Sequence, residues 1–246
     1  MATKNALAIV RSVAPRLGIA APNTATGSTD VQVQQLIALV NEEGQELAAR
    51  YEWQALTHPV TFLASGVQVQ GSLTDIIAVN YVQMSFRKIV NDTFWNLTTR
   101  TRIRGPLSAP EFNLVTASDI VAGEWSEYRI RGDNLYLYPP PTENDSLRFE
   151  FITDSWVTNS TGATLSTGFS ADSDVCVLDA RLIELGTIWR WKAAKGLDYA
   201  QNYQNYENAV MDAMAGDKTG KPVSMDSSAD QRGEPYAVIG RSSWPL

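Results

Sequence analysis

The only histidine in the chain is His58, directly before Pro59. A Ser-His-Asp or Cys-His arrangement would have to use it as general base, yet no Gly-x-Ser-x-Gly elbow accompanies it to present a nucleophile. Because the residue before a proline favours extended backbone, His58 reads as a loop or strand-edge residue. The one cysteine, Cys176, sits among Val175, Val177 and Leu178. Such surroundings suit a small buried apolar residue better than a reactive thiolate, and a lone cysteine excludes an internal disulfide or a thiolate metal cluster. Asp172-Ser173-Asp174 is the nearest approach to a carboxylate metal site, but it directly precedes an apolar helical pattern, where short polar side chains act as caps. Glu42, Glu46 or Glu184 could serve a carbohydrate-active hydrolase. Glu42, Glu43 and Glu46, however, fall on the polar side of a helix, which points to a solvated or intersubunit face. Neither a phosphate-binding Gly-x-x-x-x-Gly-Lys-Ser/Thr loop nor a dinucleotide-binding glycine fingerprint is present. The expectation is a protein with no catalytic, cofactor-binding or metal-binding residues, and not an enzyme.

Two short stretches point instead to contacts. Arg102 to Gly105 and Arg129 to Gly132 both read Arg-Ile-Arg-Gly, and each places two arginines opposite an isoleucine. Paired arginines on a strand suit the carboxylates of a neighbour, so Arg102, Arg104, Arg129 and Arg131 are candidate intersubunit or tail contacts. Arg131-Gly132-Asp133 has the form of an integrin-binding tripeptide, but here it is expected to turn a hairpin.

The 246 residues, 44% of them hydrophobic, can bury a substantial core. A formal charge of -7 argues against tight nucleic-acid binding, which needs an excess of cations on some face. No apolar run approaches the roughly 20 residues that span a bilayer, and Met1 to Pro15 lacks a signal-peptide core. A soluble protein of a reducing cytoplasm, with no membrane contact, is expected.

Periodicity divides the chain into segments. Leu7, Val10, Ala14 and Leu17 predict a short helix within Lys4–Leu17 that Pro15 kinks or stops. Ser28, Thr29 and Asp30 offer cap oxygens for a longer helix carrying Val33, Leu36, Ile37, Val40, Leu47, Ala48 and Tyr51. Gly44 falls on that stripe and predicts a close approach of another backbone. From Thr57 to Asp154 the period falls to two, with a hairpin at Tyr128–Tyr138, a strand at Leu147–Ile152 and a short helix capped by Ser108. Helices return with a stripe of Val175, Leu178, Leu182, Leu185 and Trp189, capped by Asp172 to Asp174 and broken at Gly196. A second stripe, Tyr199, Tyr203, Tyr206, Val210 and Ala213, completes a helical hairpin. The fold class is therefore α+β: a helical core of N-terminal helices (1–55) and a C-terminal hairpin (157–215), an inserted antiparallel β-rich domain (56–156), and an extended C-terminal tail (216–246). The tail is polar yet carries Tyr236, Val238, Ile239 and Trp244, apolar anchors for docking on a partner.

Several stretches taken together resemble the head-to-tail adaptor, or connector, proteins of short-tailed bacteriophages. They are Arg87 to Asn96, Arg104 to Ser108, Tyr128 to Asp133, Leu135 to Pro141, Leu147 to Phe151, and Asp179 to Gly186 with Trp189-Arg190-Trp191-Lys192. The likeness runs from about Val31 to Ala213. It implies a homo-oligomeric ring of about twelve copies, docked under the portal protein and holding a tail nozzle or hub protein, with or without fibres. It further implies a helical core near the portal, a β-rich domain facing outward or toward the tail, and a tail segment that grips the portal. Genomic DNA would pass through without specific binding, and the protein would sit in the virion at the portal vertex after assembly in the host cytoplasm. The alternative reading is a β-rich receptor-binding or fibre-attachment module of the same particle.

Overall fold

The Asn5 side chain accepts the Ala8 amide at 2.8 Å and opens α1 (Ala6–Val13) in the computed structural model, which describes residues 3–117 and 126–217. Pro15 has no N–H to continue the α-helical ladder, and the chain tightens into a 3₁₀ turn over Ala14–Leu17 that ends at Gly18 with φ +73°. The Asp30 carboxylate accepts from the Gln32 amide and starts α2 (Val31–Arg50), which buries Val33, Leu36, Val40, Leu47 and Ala48. Asp30 is one of the cap residues expected for α2, whose expected stripe is buried except at Ile37 and Tyr51, which are half-buried. α1 instead buries Ala6, Ile9, Val10 and Val13, and of its expected stripe Val10 and Ala14 are buried while Leu7 and Leu17 are only half-buried.

The β-rich stretch follows with β1 (Thr57–Leu63), β2 (Val69–Ser72), α3 (Leu73–Ala78), β3 (Lys88–Ile89), β4 (Trp95–Asn96), β5 (Thr101–Arg102), α4 (Ala109–Ala117), β6 (Glu127–Arg131), β7 (Asn134–Tyr138) and β8 (Ser146–Ile152). β8 is central to one antiparallel sheet. It pairs along its whole length with β1, from Thr57 opposite Ile152 to Leu63 opposite Ser146, and on its other side with β3 and then β4, which pairs β5. A second antiparallel sheet runs β2-β7-β6. Its hairpin closes through Gly132, at φ +61°, and Asp133, with Arg131 opposite Asn134. Alternation decides the inner faces: Leu147, Phe149 and Phe151 of β8 and Leu135 and Leu137 of β7 are fully buried. α4 starts as expected at Ser108, whose amide is bonded by the Glu111 carboxylate at 2.8 Å. α3, by contrast, escapes a reading by periodicity, because six residues make less than two turns.

The last part holds a small sheet of β9 (Val157–Thr158), β10 (Leu165–Ser166) and β11 (Val175–Cys176), then α5 (Ala180–Ala194) and α6 (Ala200–Asp217). The expected helix start at Val175 is corrected. Val175 bridges Asn5, and the Cys176 amide donates to the Lys4 carbonyl at 3.0 Å, so this stretch is extended and the helix waits for Asp179, which caps the Arg181 amide. The side chains of Asp172 and Asp174 do not cap α5 either, although their backbone carbonyls accept the Leu7 and Ala6 amides at the start of α1. The Asp172 carboxylate accepts from the Ala25 and Thr26 amides and the Thr26 hydroxyl, while that of Asp174 accepts from Ser170 and Ala171. Gly196, at φ +69°, ends α5 and turns the chain toward α6, whose Ala200 amide is bonded by Asp198.

Two cores result. One gathers α1, α2, α5, α6 and the small sheet around Trp53, Trp156 and Tyr206. The other lies between the two larger sheets around Phe94, Phe149, Phe151 and Tyr128. Arg87 ties them: its guanidinium donates to the carbonyls of Ala48, at 2.5 Å, and Ala49 at the C-terminal end of α2, where the helix dipole favours a cation. Lys88 pairs with Glu52, and the Ser85 hydroxyl meets those of Thr153 and Ser155 at 3.2 and 3.0 Å. Gly44 faces a side chain and not the backbone expected of it: a Cβ there would stand 2.1 Å from the Trp156 ring. That indole lies across α2, donates to the Thr167 carbonyl at 2.8 Å and meets Phe169 edge-on.

Candidate functional site

The two Arg-Ile-Arg stretches are brought side by side. Arg104 forms an isolated bridge with Glu127, its amide donates to the Ser126 carbonyl, and its carbonyl accepts from the Tyr128 amide at 2.7 Å. Gly105 lets the chain pass Tyr128 so closely: at φ +146°, its Cβ position is 2.5 Å from the Tyr128 carbonyl oxygen. The Leu107 amide then returns to that same carbonyl. A backbone staple therefore joins β5 to β6 and the two sheets to each other.

The four arginines share the region but not one role. Arg102 pairs with Asp92 of its own chain, while its Nε is buried without a hydrogen-bond partner. Arg129 lies 6.0 Å above the Phe112 ring of α4 and Arg131 lies 5.2 Å above Tyr136 of β7. Phe112 and Tyr136 meet edge-on. Alternation puts Arg129 and Arg131 on one face of β6, so the β2-β7-β6 sheet carries a patch of cations over aromatic rings, with Arg104 and Arg131 exposed. These cation–π contacts hold the two guanidinium groups against the sheet, and of the two only Arg131 is exposed. Arg129 Nη1 is buried with no partner.

A second cluster corrects the reading of the acidic face of α2. Glu42 and Glu46 have side chains 57% and 54% exposed, but Glu43 is wholly buried. Arg190 of α5 is the hub. Its Nε donates to Glu43 Oε2 at 2.6 Å, Nη1 to Glu42 at 2.7 Å, and Nη2 to Glu46. The guanidinium also lies 4.8 Å from the Trp189 ring. Gly186 makes room for the acid, since a Cβ there would meet the Glu43 carboxyl carbon at 2.1 Å. Burial pushes the Glu43 carboxyl up to about 7, against the opposing pull of Tyr206 and Arg190. Although the Tyr206 hydroxyl is near enough to act on the carboxyl, Oε1 and that hydroxyl each lack a partner in hydrogen-bonding geometry. Burial, and then Glu43, raises the Tyr206 phenol. The hydrophobic spacing of α2 missed this burial. The signal present in the sequence was Gly186, a residue without a side chain in an otherwise well-formed helix, set opposite an acid.

The hydrolase candidates are thus engaged in structure: Glu42 and Glu46 on Arg190, and Glu184 on Lys4 at 2.6 Å. His58 lies on β1, the edge strand, against Tyr81 and Phe151, and burial lowers its proton affinity. Cys176 is buried, which raises its thiol. No group of three or more metal-ligating side chains occurs among the described residues, and no helix among them is long and apolar enough to cross a membrane. Tyr236, Val238, Ile239 and Trp244 lie outside the described residues.

Comparison with known families supplies what geometry alone does not. The family model of the SU10 adaptor protein matches residues 4–232. The chain belongs to the SU10 adaptor protein family. A search among curated proteins finds no match. As an SU10 adaptor protein the chain is a bacteriophage structural protein, in a family of adaptors and not of enzymes. Membership also implies interaction with phage portal and tail components and a place in the virion. The resemblance read from the sequence is the one the family match bears out.

Proposed function

We propose that this SU10 adaptor protein acts by shape, as one wedge in a ring of about twelve copies that joins portal to tail and lines the channel for DNA. The observation that carries the reading is the family match over residues 4–232, which takes in both cores, the Arg87 tie and the arginine–aromatic patch. A ring subunit repeats one heterologous contact until rotation closes it, so its surfaces must be held in fixed relation. The backbone staple at Arg104 and the clamp at Arg87 supply such stiffness.

In this scheme the helical parts, 1–55 and 157–215, face the portal and the β domain, 56–156, faces outward or toward the tail nozzle, hub or fibres. Arg104, Arg129 and Arg131 meet carboxylates of a neighbouring subunit or tail protein, and Arg102 joins them by exchanging Asp92 for a partner's acid. The tail, 216–246, grips the portal through Tyr236, Val238, Ile239 and Trp244. DNA passes without specific binding, in keeping with a formal charge of -7. Assembly takes place in the host cytoplasm, where the single buried thiol stays reduced. Native mass spectrometry of the purified chain, with and without portal, tests the reading. Closed rings are expected on portal. A trimer, or binding to host-cell glycans, refutes it in favour of a receptor-binding module.

A further inference from the structure

β1 and β2 follow one another in the chain but become edge strands of different sheets, β1 beside β8 and β2 beside β7. Between the end of β1, β2 and α3 lies an open groove of about 490 Å³, walled by Leu63, Gln70, Ser72, Asp75, Ile76 and Val79. Backbone directions alternate along β1. The Thr153 amide donates to the Leu56 carbonyl and the Ala64 amide to the Asp145 carbonyl, so Thr57, Pro59, Thr61 and Leu63 turn their backbone groups away from β8, to the open edge. The first half of that edge is covered. The Thr57 amide donates to the Gln54 carbonyl, Pro59 has no N–H, its carbonyl accepts from the Tyr81 hydroxyl at 2.8 Å, and the Thr61 amide donates to Asn80 Oδ1 at 3.2 Å. The cover stops at the groove: the Thr61 carbonyl and the Leu63 amide and carbonyl have no hydrogen-bond partner among the described residues.

The walls add two further features. Leu63 and Val79 are 64% and 69% exposed beside the buried Ile76. One exposed aliphatic residue means little, but two lining a groove beside open backbone groups mark a surface to be covered. Asp75 is exposed and forms no ion pair among the described residues, and Ser72 donates to the Asp133 carboxylate at 2.6 Å, so this wall is acidic. Arg148, opposite Thr61 in the register, lies at the covered end, close enough to Tyr81 to act on its hydroxyl. A helix spends its backbone groups on itself and would leave those of Leu63 bare, whereas an extended chain presents donors and acceptors at the spacing of the strand. We propose that the groove takes an extended polypeptide segment of a partner, which adds a strand to β1 at Thr61–Leu63, sets an apolar side chain against Leu63 and Val79, and places a lysine or arginine beside Asp75. All of these groups belong to a single chain, so this docking does not depend on the ring.

A library of short linear peptides, displayed on their own messenger RNA and selected on the immobilised full chain, supplies the probe. The enriched peptides are expected to alternate apolar and polar residues and to carry a lysine or arginine. Fluorescence anisotropy with the best of them should show binding on the order of tenfold weaker to the double variant Leu63→Asp, Val79→Asp, whose altered side chains are both exposed in the parent and leave the fold intact. Leu63→Pro, which removes an N–H that no other group uses, should weaken binding to a similar extent. Methylating the peptide nitrogens one at a time should abolish binding at every second position and spare the positions between, because only alternate amides face β1. Failure to select any peptide that the double variant loses overturns the proposal, and so does a peptide indifferent to N-methylation at every position. Self-association of the parent chain that the double variant loses, with no such peptide selected, overturns it too, because the occupant is then a second copy.

Discussion

Replacing Glu43 by glutamine probes the one buried carboxyl that the helical core carries in contact with Arg190. Its proton affinity in the folded chain is raised from the ordinary 4.5 to about 7, chiefly by burial. A raised acid binds more protons folded than unfolded between those two values, so its stabilising contribution is complete below 4.5 and is lost as pH climbs through 7. At about 1.36 kcal/mol per pH unit, the loss amounts to about 3 kcal/mol by pH 8. The substituted amide has no proton to lose and keeps an oxygen for Arg190 Nε, while its NH₂ group can donate toward the Tyr206 hydroxyl. Arg190 retains Glu42 and Glu46, both half exposed and each worth up to about 1 kcal/mol. The Glu43→Gln variant is therefore expected to be more stable than the parent by about 2 kcal/mol at pH 8 and no more stable at pH 5. His58, whose proton affinity burial lowers, contributes with the opposite sign, because a base of lowered affinity adds stability as pH rises, but it is common to both proteins and cancels in the difference. Urea unfolding at pH values from about 5 to about 8.5 gives the comparison. A difference that does not change with pH, or a variant less stable than the parent at pH 8, refutes the assignment of a protonated Glu43.

Other expectations follow from the same geometry. Arg190→Met should cost about 3 kcal/mol at pH 8 by stranding Glu43, and most of that cost should disappear when Glu43→Gln is already present, as a double-mutant cycle in urea would show. Gly44→Ala should lower stability by about 3 kcal/mol, since its methyl would occupy space held by the Trp156 ring; near-parent thermal unfolding would contradict the packing. Asp172→Ala removes the acceptor for two amides and one hydroxyl in the 25–26 loop and should cost about 2 kcal/mol by the same measurement.

Long periodic elements were legible in the sequence for a simple reason: their burial is one-sided and local. α2, α6, the β6–β7 hairpin and β8 each show their period over enough residues to be read. β3, β4, β5 and the small sheet have two residues per strand, too few for any period, and exist because longer neighbours or one another's edges pair with them. The stretch at Val175 was misread because its apolar spacing fits a helix, whereas pairing with Lys4 and Asn5 makes it extended. At the candidate site, the arginine stretches were visible as a motif, but their juxtaposition through Arg104 and Tyr128 is a tertiary fact. Glu43 was the larger omission. A glutamate on a helix is solvated by default, and only the cross-helix combination of Gly186, Arg190 and Tyr206 places it inside. Gly44, likewise, announced a close approach without naming Trp156 as what approaches.

The central claim is that this adaptor works as a repeated structural wedge at the vertex through which DNA leaves the capsid. A side-chain-resolution reconstruction of that vertex in the assembled particle tests it most directly. The account predicts a closed ring of this chain between portal and tail, with the arginine–aromatic face of the β2-β7-β6 sheet against a neighbour's or tail protein's carboxylates. Finding the chain elsewhere in the virion, or at the vertex as isolated copies that do not touch one another, would contradict it.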